Sequence, residues 1–302
     1  MGRGLMRSWL TTVILLAPLH AATFYVTVSG IGGEPDYEQR FALLATETEK
    51  TLKAHSADAH VETLQGAGAT RANLRAALEK LAQTAKPEDA LVLLLIGHGT
   101  FEGDYKFNLP GPDISAPELA SLLNKIPAGR QLVVNTTSAS GGANEALRKA
   151  NRIVISATRS GSEKNATVFA RYWVEALNDP SADVDKNGTI SAMEAFHFAE
   201  HKTKAFYEEQ KRLATEHPVI EDSAKGAANA GQLAMNFPVV RLNPVAAVTD
   251  PAKKALQAKR DQIETQIDQL KYQKSLMAPD GYRAQLSKLL LELAKTQEEL
   301  DK

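Results

Sequence analysis

His98 stands between Gly97 and Gly99 at the end of an unbroken apolar run, Leu91 to Ile96. A glycine on each side permits a sharp backbone turn and leaves the imidazole open. Imidazole is the side chain most often used to move a proton near neutral pH. Further on, a second apolar run closes on Thr136, Thr137, Ser138 and Ser140 and then enters Gly141-Gly142. If the two strand ends are neighbours, a hydroxyl and an imidazole share one crevice, as a nucleophile and its base do. A helix starting at the glycines would add backbone N–H groups for an oxyanion, with Glu102 and Asp104 as carboxylates that could orient the imidazole. A lone histidine is more often structural, so His98 acquires meaning only with Ser138.

A second group of residues points to a cation. In "DVDKNGTISAME" (183–194), Asp183, Asp185 and Asn187 alternate, Gly188 takes the sharp turn, and Thr189 follows with its carbonyl. Ile190 is the apolar eighth position, Ser191 the ninth and Glu194 the twelfth. This fills the EF-hand loop pattern, in which alternate side chains of a tight loop supply the oxygens that a hard cation needs. The expected cofactor is one structural Ca2+; the competing reading is a solvated acidic turn that starts a helix. The helix after it carries "HFAEH", with His197, Glu200 and His201, but the glutamate is displaced from the His-Glu-x-x-His arrangement, which argues against zinc. His20, His55, His60 and His217 form no constellation in the sequence.

The elements that must hold these residues alternate. "FYVTVS" (24–29), 59–66, 90–97, 130–138 and 152–158 read as strands, the middle ones apolar on both faces as in a parallel sheet. Helices are predicted over 36–55, 71–84 with Thr70 as N-cap, 116–126 with a Ser115/Glu118 capping box, 142–149, 165–178 and 192–213. Strand and helix in turn predict an α/β fold, a parallel sheet flanked by helices on both faces, over residues 23–244. Residues 252–302 differ in kind. Leu256, Ile263, Leu270 and Met277 recur at heptad spacing around Ile267, "APDG" (278–281) breaks the pattern, and Leu286, Leu290, Leu293 and Leu300 resume it. This predicts a C-terminal helical hairpin with a coiled-coil seam, either a self-association or partner element or a stalk packed on itself.

Charge is balanced, 35 Lys+Arg against 36 Asp+Glu, so neither a nucleic-acid footprint nor a polybasic membrane patch is expected. Arg3 and Arg7 precede the apolar run Trp9 to Ala17, and Ala21-Ala22 follow, the signature of a signal peptide over 1–22 and of export to the periplasm or medium. A buried first strand or an uncleaved anchor is the alternative. The run is too short to span a bilayer. With no cysteine there is neither disulfide nor thiol nucleophile, so an ordinary core must supply stability.

"LLLIGHG" (93–99) followed by "LVVNTTSASGG" (132–142) resembles the caspase/legumain clan of cysteine peptidases, in which one apolar strand ends in His-Gly and the next in Cys-x-Ser-Gly. "ISATRSGSEKN" (155–165) is similar to the strand and loop bordering the substrate pocket, and "EHPVIEDSAKGAANA" (216–230) to a late segment of bacterial legumain-like proteins. The resemblance covers about residues 23–240. It implies a caspase-like sheet, His98 at the catalytic histidine, Ser138 at the catalytic cysteine and Gly99 as an oxyanion amide, with a peptide or protein as ligand. The departure falls on the nucleophile. A serine hydroxyl needs strong base assistance, and the clan's His/Cys pair has no obligatory orienting carboxylate. Three readings follow: a degenerate peptidase acting as a binding or scaffold module, an active serine hydrolase using Ser138 and His98, or a structural assembly protein acting through the hairpin.

Overall fold

The computed structural model describes residues 21–55, 59–222, 231–242 and 277–300, with part of 250–270. The expected signal sequence, apart from its last two residues, and the end of the 216–230 segment lie outside the described residues.

The protein is α/β. Its central sheet contains β1 (Thr23–Ser29), β2 (Ala59–Leu64), β3 (Ala90–Ile96), β7 (Arg130–Asn135), β8 (Arg152–Ser156) and β10 (Val219–Asp222). The order is β2-β1-β3-β7-β8-β10, parallel throughout except for β10 at the edge. This fits a caspase-like α/β arrangement. The central strands are apolar on both faces because helices cover both. Tyr25, Leu94, Leu132, Val134 and Ile155 pack under α1 (Pro35–His55), α5 (Phe169–Ala176) and α6 (Ala192–Glu209). Leu91, Leu93, Leu95, Val133 and Val154 pack under α2 (Arg71–Thr84), α3 (Ala116–Lys125) and the short α4 (Asn144–Leu147).

Three small strands, β4 (Gly99–Phe101), β5 (Tyr105–Phe107) and β6 (Ile114–Ser115), form an antiparallel sheet that grows directly out of the end of β3. A two-stranded sheet pairs β9 (Thr189–Ser191) with β11 (Pro238–Arg241), and α7 (Gln232–Met235) precedes β11. In the C-terminal region, described helical residues between 252 and 270 face the helix Pro279–Leu300. Lys259 Nζ and Glu292 Oε1 pair at 3.5 Å across the two segments, and Ile263, Ile267, Leu270 and Thr296 are buried. Among the described residues no helix is long and apolar enough to cross a membrane.

Several expected boundaries move. The strand expected over 130–138 ends at Asn135: Thr136 N makes a last inter-strand bond to the Leu95 carbonyl, its Oγ1 donates to the same oxygen, and Thr137 N then turns back onto Asn135 Oδ1. The helix expected from 165 begins at Phe169, since Thr167 Oγ1 is held by the Thr136 carbonyl. Ser115 caps α3 as expected, but the Glu118 carboxylate turns to Arg71 and Arg75, which leaves the capping box half made. The complete box is Ser191/Glu194 at the start of α6.

Candidate functional site

β3 and β7 are neighbours in the sheet, so His98 and Ser138 leave it at adjoining strand ends. The Ser138 hydroxyl, buried, accepts from Gly99 N at 3.1 Å and donates to the Gly99 carbonyl at 2.9 Å. Both its proton and a lone pair are thus engaged by one backbone residue. The ring of His98 follows the alternation of β3 onto the α1 face. It meets Tyr37 and Phe41 edge-on, with centroids 4.8 and 5.1 Å away. Desolvation there holds its pKa below the ordinary histidine value, opposed by a hydrogen bond to the Gly32 backbone and by the charges of Glu34 and Glu38. Those two carboxylates, and not Glu102 and Asp104, are the ones whose charge reaches the ring; the latter are exposed in the turn between β4 and β5.

The backbone around Ser138 is packed to contact. A Cβ on Gly99 would lie 2.6 Å from the Ser138 carbonyl oxygen and 2.6 Å from Tyr105 Cε2. Tyr105 in turn bonds to Thr137 Oγ1 at 2.6 Å and Asn135 Oδ1 at 3.1 Å. Ala139 adopts the left-handed conformation, φ 55°, and its N–H donates to the Glu163 carbonyl at 2.8 Å. A 3-10 turn, Ser140–Ala143, follows in place of the first turn of the helix expected from 142.

Glu163 and Glu216 tie this loop to distant segments. Glu163 Oε1 lies 2.6 Å from His217 Nδ1, so His217 does have a partner, one that its position in the sequence did not suggest. Glu216, 2% exposed, accepts from Val168 N at 2.7 Å, Phe169 N at 3.2 Å and Tyr207 Oη at 3.0 Å. It thereby caps the start of α5. Burial pushes its carboxyl up to about 7 despite these donors. An acid whose folded pKa lies above its unfolded value near 4.5 holds its proton more tightly when folded. Its contribution is complete below the unfolded value and is lost as pH rises to about 7. Urea unfolding at pH 5 and pH 8 is therefore expected to show a stability gap in the native protein that narrows in Glu216→Gln; an unchanged gap would assign the titration elsewhere.

A cleft of about 400 Å3 opens beside this region, walled by Tyr37 and Arg40 of α1, Asn165, Tyr207 at the end of α6, and Arg212 and Thr215 beyond it. Tyr37 is shared between the cleft and the His98 ring.

In the acidic loop, oxygens of Asp183, Asp185 and Glu194 lie within 4.8 Å of one another and could hold a metal ion. Asp183 also accepts from Asn187 N at 3.1 Å and Gly188 N at 2.8 Å, with Gly188 at φ 79° as the tight turn requires. Asn187 Oδ1 accepts from Thr189 N at 2.8 Å. Glu194 accepts from Val184 N, Ser191 N and Ser191 Oγ, so it closes the loop and caps α6 at once. Two features depart from a helix–loop–helix unit. A 3-10 turn, Pro180–Ala182, separates α5 from the loop, capped by Asp179. The exit strand β9 pairs with β11, through Ile190 and Val240, where a second loop would otherwise lie. His197 and His201 are exposed, and the metal-holding group among the described residues does not include them.

No protein-family model matches the chain, and no curated protein matches it. Among solved structures it is similar to protein GSU0716 from Geobacter sulfurreducens, at 15% sequence identity and a TM-score of 0.46, over 68% of this chain and 95% of that one.

The sequence reading missed Tyr37, Phe41, Glu216 and the Glu163–His217 pair. Tyr37 and Phe41 carried a signal of sorts, two aromatics four apart on the face of α1 that opposes the β3 end. Glu216 carried none, because the two amides it caps, Val168 N and Phe169 N, lie far away along the chain.

Proposed function

We propose that the protein is a non-catalytic, peptide-binding member of the caspase/legumain-like group, exported, with a structural Ca2+ in the loop 183–194. The observation that carries the first part is the Ser138 hydroxyl on Gly99. A serine nucleophile must give its proton to a base and leave the oxyanion amides free for the substrate carbonyl. Here the proton is donated to the Gly99 carbonyl, and the Gly99 amide, the expected oxyanion donor, is taken by Ser138 itself. The imidazole is turned into an aromatic wall on α1. What remains is a cleft with polar and aromatic walls beside the strand ends, suited to holding a peptide.

The calcium part rests on the three converging carboxylates and on oxygen being the only donor type among them. Self-association through the hairpin is a further role of this scaffold, supported by exposed Leu290 and Leu291 on the C-terminal helix.

The test is incubation of the purified protein with a mixed peptide pool, read by mass spectrometry. No new peptide termini are expected at any pH between 5 and 9. Termini produced by the native protein and lost in Ser138→Ala would replace this reading with that of a serine peptidase.

A further inference from the structure

The helix Pro279–Leu300 carries leucines on two faces. Leu286, Leu289, Leu293, Thr296 and Leu300, at intervals of three and four, are half-buried or buried and form the face turned to the segment 252–270. Leu290, which the heptad reading placed in that seam, lies outside it. Leu290 and Leu291 are 48% and 59% exposed and sit side by side next to the midpoint of the helix. Ser287 and Ala294 follow one turn before and one turn after them, both exposed and small enough to let another helix approach. Arg283 and Glu298 lie farther out on the same face, toward opposite ends and at equal distances from the leucine pair. Arg283 reaches Asp280 only at 3.8 Å, with both side chains mostly exposed, a pairing worth little.

We infer that this second face pairs with the same face of a second copy of the chain, the two helices running antiparallel about a two-fold axis at Leu290 and Leu291. The inference rests on the self-association reading and names its surface and geometry. A second copy is the occupant because the face is complementary to itself. A two-fold axis at the leucine pair sets Leu290 of each copy on Leu291 of the other, Ser287 opposite Ala294, and Arg283 opposite Glu298. Parallel helices would instead set Arg283 against Arg283 and Glu298 against Glu298, and like charges brought together disfavour that arrangement. Removal of the exposed leucines from water supplies the driving force. A face confined to one helix is small against a standard interface of about 1,600 Å2, so dissociation in the micromolar range is expected.

The experiment is analytical ultracentrifugation of the purified protein over about 1 to 200 µM, with cysteine cross-linking to fix the geometry. The native protein is expected to pass from monomer to dimer in that range. Leu290→Glu combined with Leu291→Glu, both at exposed positions, should raise the dissociation constant at least about tenfold. The chain has no cysteine, so an introduced thiol is unique. A mixture of Ser287→Cys and Ala294→Cys proteins is expected to cross-link under mild oxidation, and neither protein alone. Antiparallel helices bring 287 to 294 but leave each position about 10 Å from its own counterpart, beyond the reach of a disulfide. Cross-linking of each variant with itself would mean parallel helices and overturns the geometry. A dimer unchanged by the leucine substitutions overturns the surface and leaves self-association standing. A native protein that is monomeric at every concentration overturns both.

Discussion

Gly141→Ala is expected to destabilise the protein by about 3 kcal/mol, the upper end of what overpacking a close-fitted interior costs. A methyl group there would meet Ser160 N at 2.3 Å, the Arg159 carbonyl carbon at 2.4 Å and the Thr158 carbonyl oxygen at 2.5 Å. All three are backbone atoms, so no side chain can swing aside. The neighbouring contacts cannot slide either, because Gly141 N is bonded to Thr158 Oγ1 at 2.9 Å and Ala139 N to the Glu163 carbonyl. The consequence is local to the site: the loop bearing Ser138 would be forced off the 158–163 loop. Gly68→Ala is the control, with nothing within 4 Å of its Cβ, and should change stability by no more than about 0.5 kcal/mol. Chemical denaturation of both variants measures the difference. Equal, small effects would mean that the two loops are not in contact.

The second large effect concerns the acidic loop. In millimolar Ca2+ the protein should melt well above its temperature in EDTA, since an ion at about a hundred times its dissociation constant stabilises the folded state by about 2.7 kcal/mol. Asp183→Asn should lose most of that difference while keeping an acceptor for one of the two amides, Asn187 N and Gly188 N, that the separate carboxylate oxygens hold. Glu194→Ala should lose all of it and also melt lower in EDTA, because the same carboxylate completes the Ser191 capping box and holds the Val184 amide. Loss of such a cap costs about 1 kcal/mol by itself. A native protein that melts identically in EDTA and Ca2+ would reduce the loop to a helix cap.

The sheet was legible because its signals are local. Five-residue and longer apolar runs such as Leu91–Ile96 can be satisfied only by cover on both faces, and Thr70 and Ser115 mark helix starts by chemistry that acts over three residues. The acidic loop was legible for the same reason, although its strand partner β11 was not. What escaped was set by contacts between distant segments. Strand β7 stops short because Thr137 turns back onto Asn135 Oδ1, and α5 starts late because Glu216 and Thr136 hold the residues before it. Likewise, the direction of the Ser138 hydroxyl depends on how closely Gly99 approaches, which no spacing in the sequence encodes. Motif order brought His98 and Ser138 to adjoining strand ends; the hydrogen bonds made there are a property of the packed loops.

The central claim, that Ser138 is not a nucleophile, is tested most directly by treating the native protein with a fluorophosphonate and locating any adduct by peptide mass spectrometry. With its proton on the Gly99 carbonyl and its oxygen on the Gly99 amide, Ser138 should remain unmodified after prolonged exposure at pH 7 to 9, as in a denatured control. An adduct on Ser138 that forms in the folded protein and disappears in His98→Ala would contradict this account and establish a working serine and base.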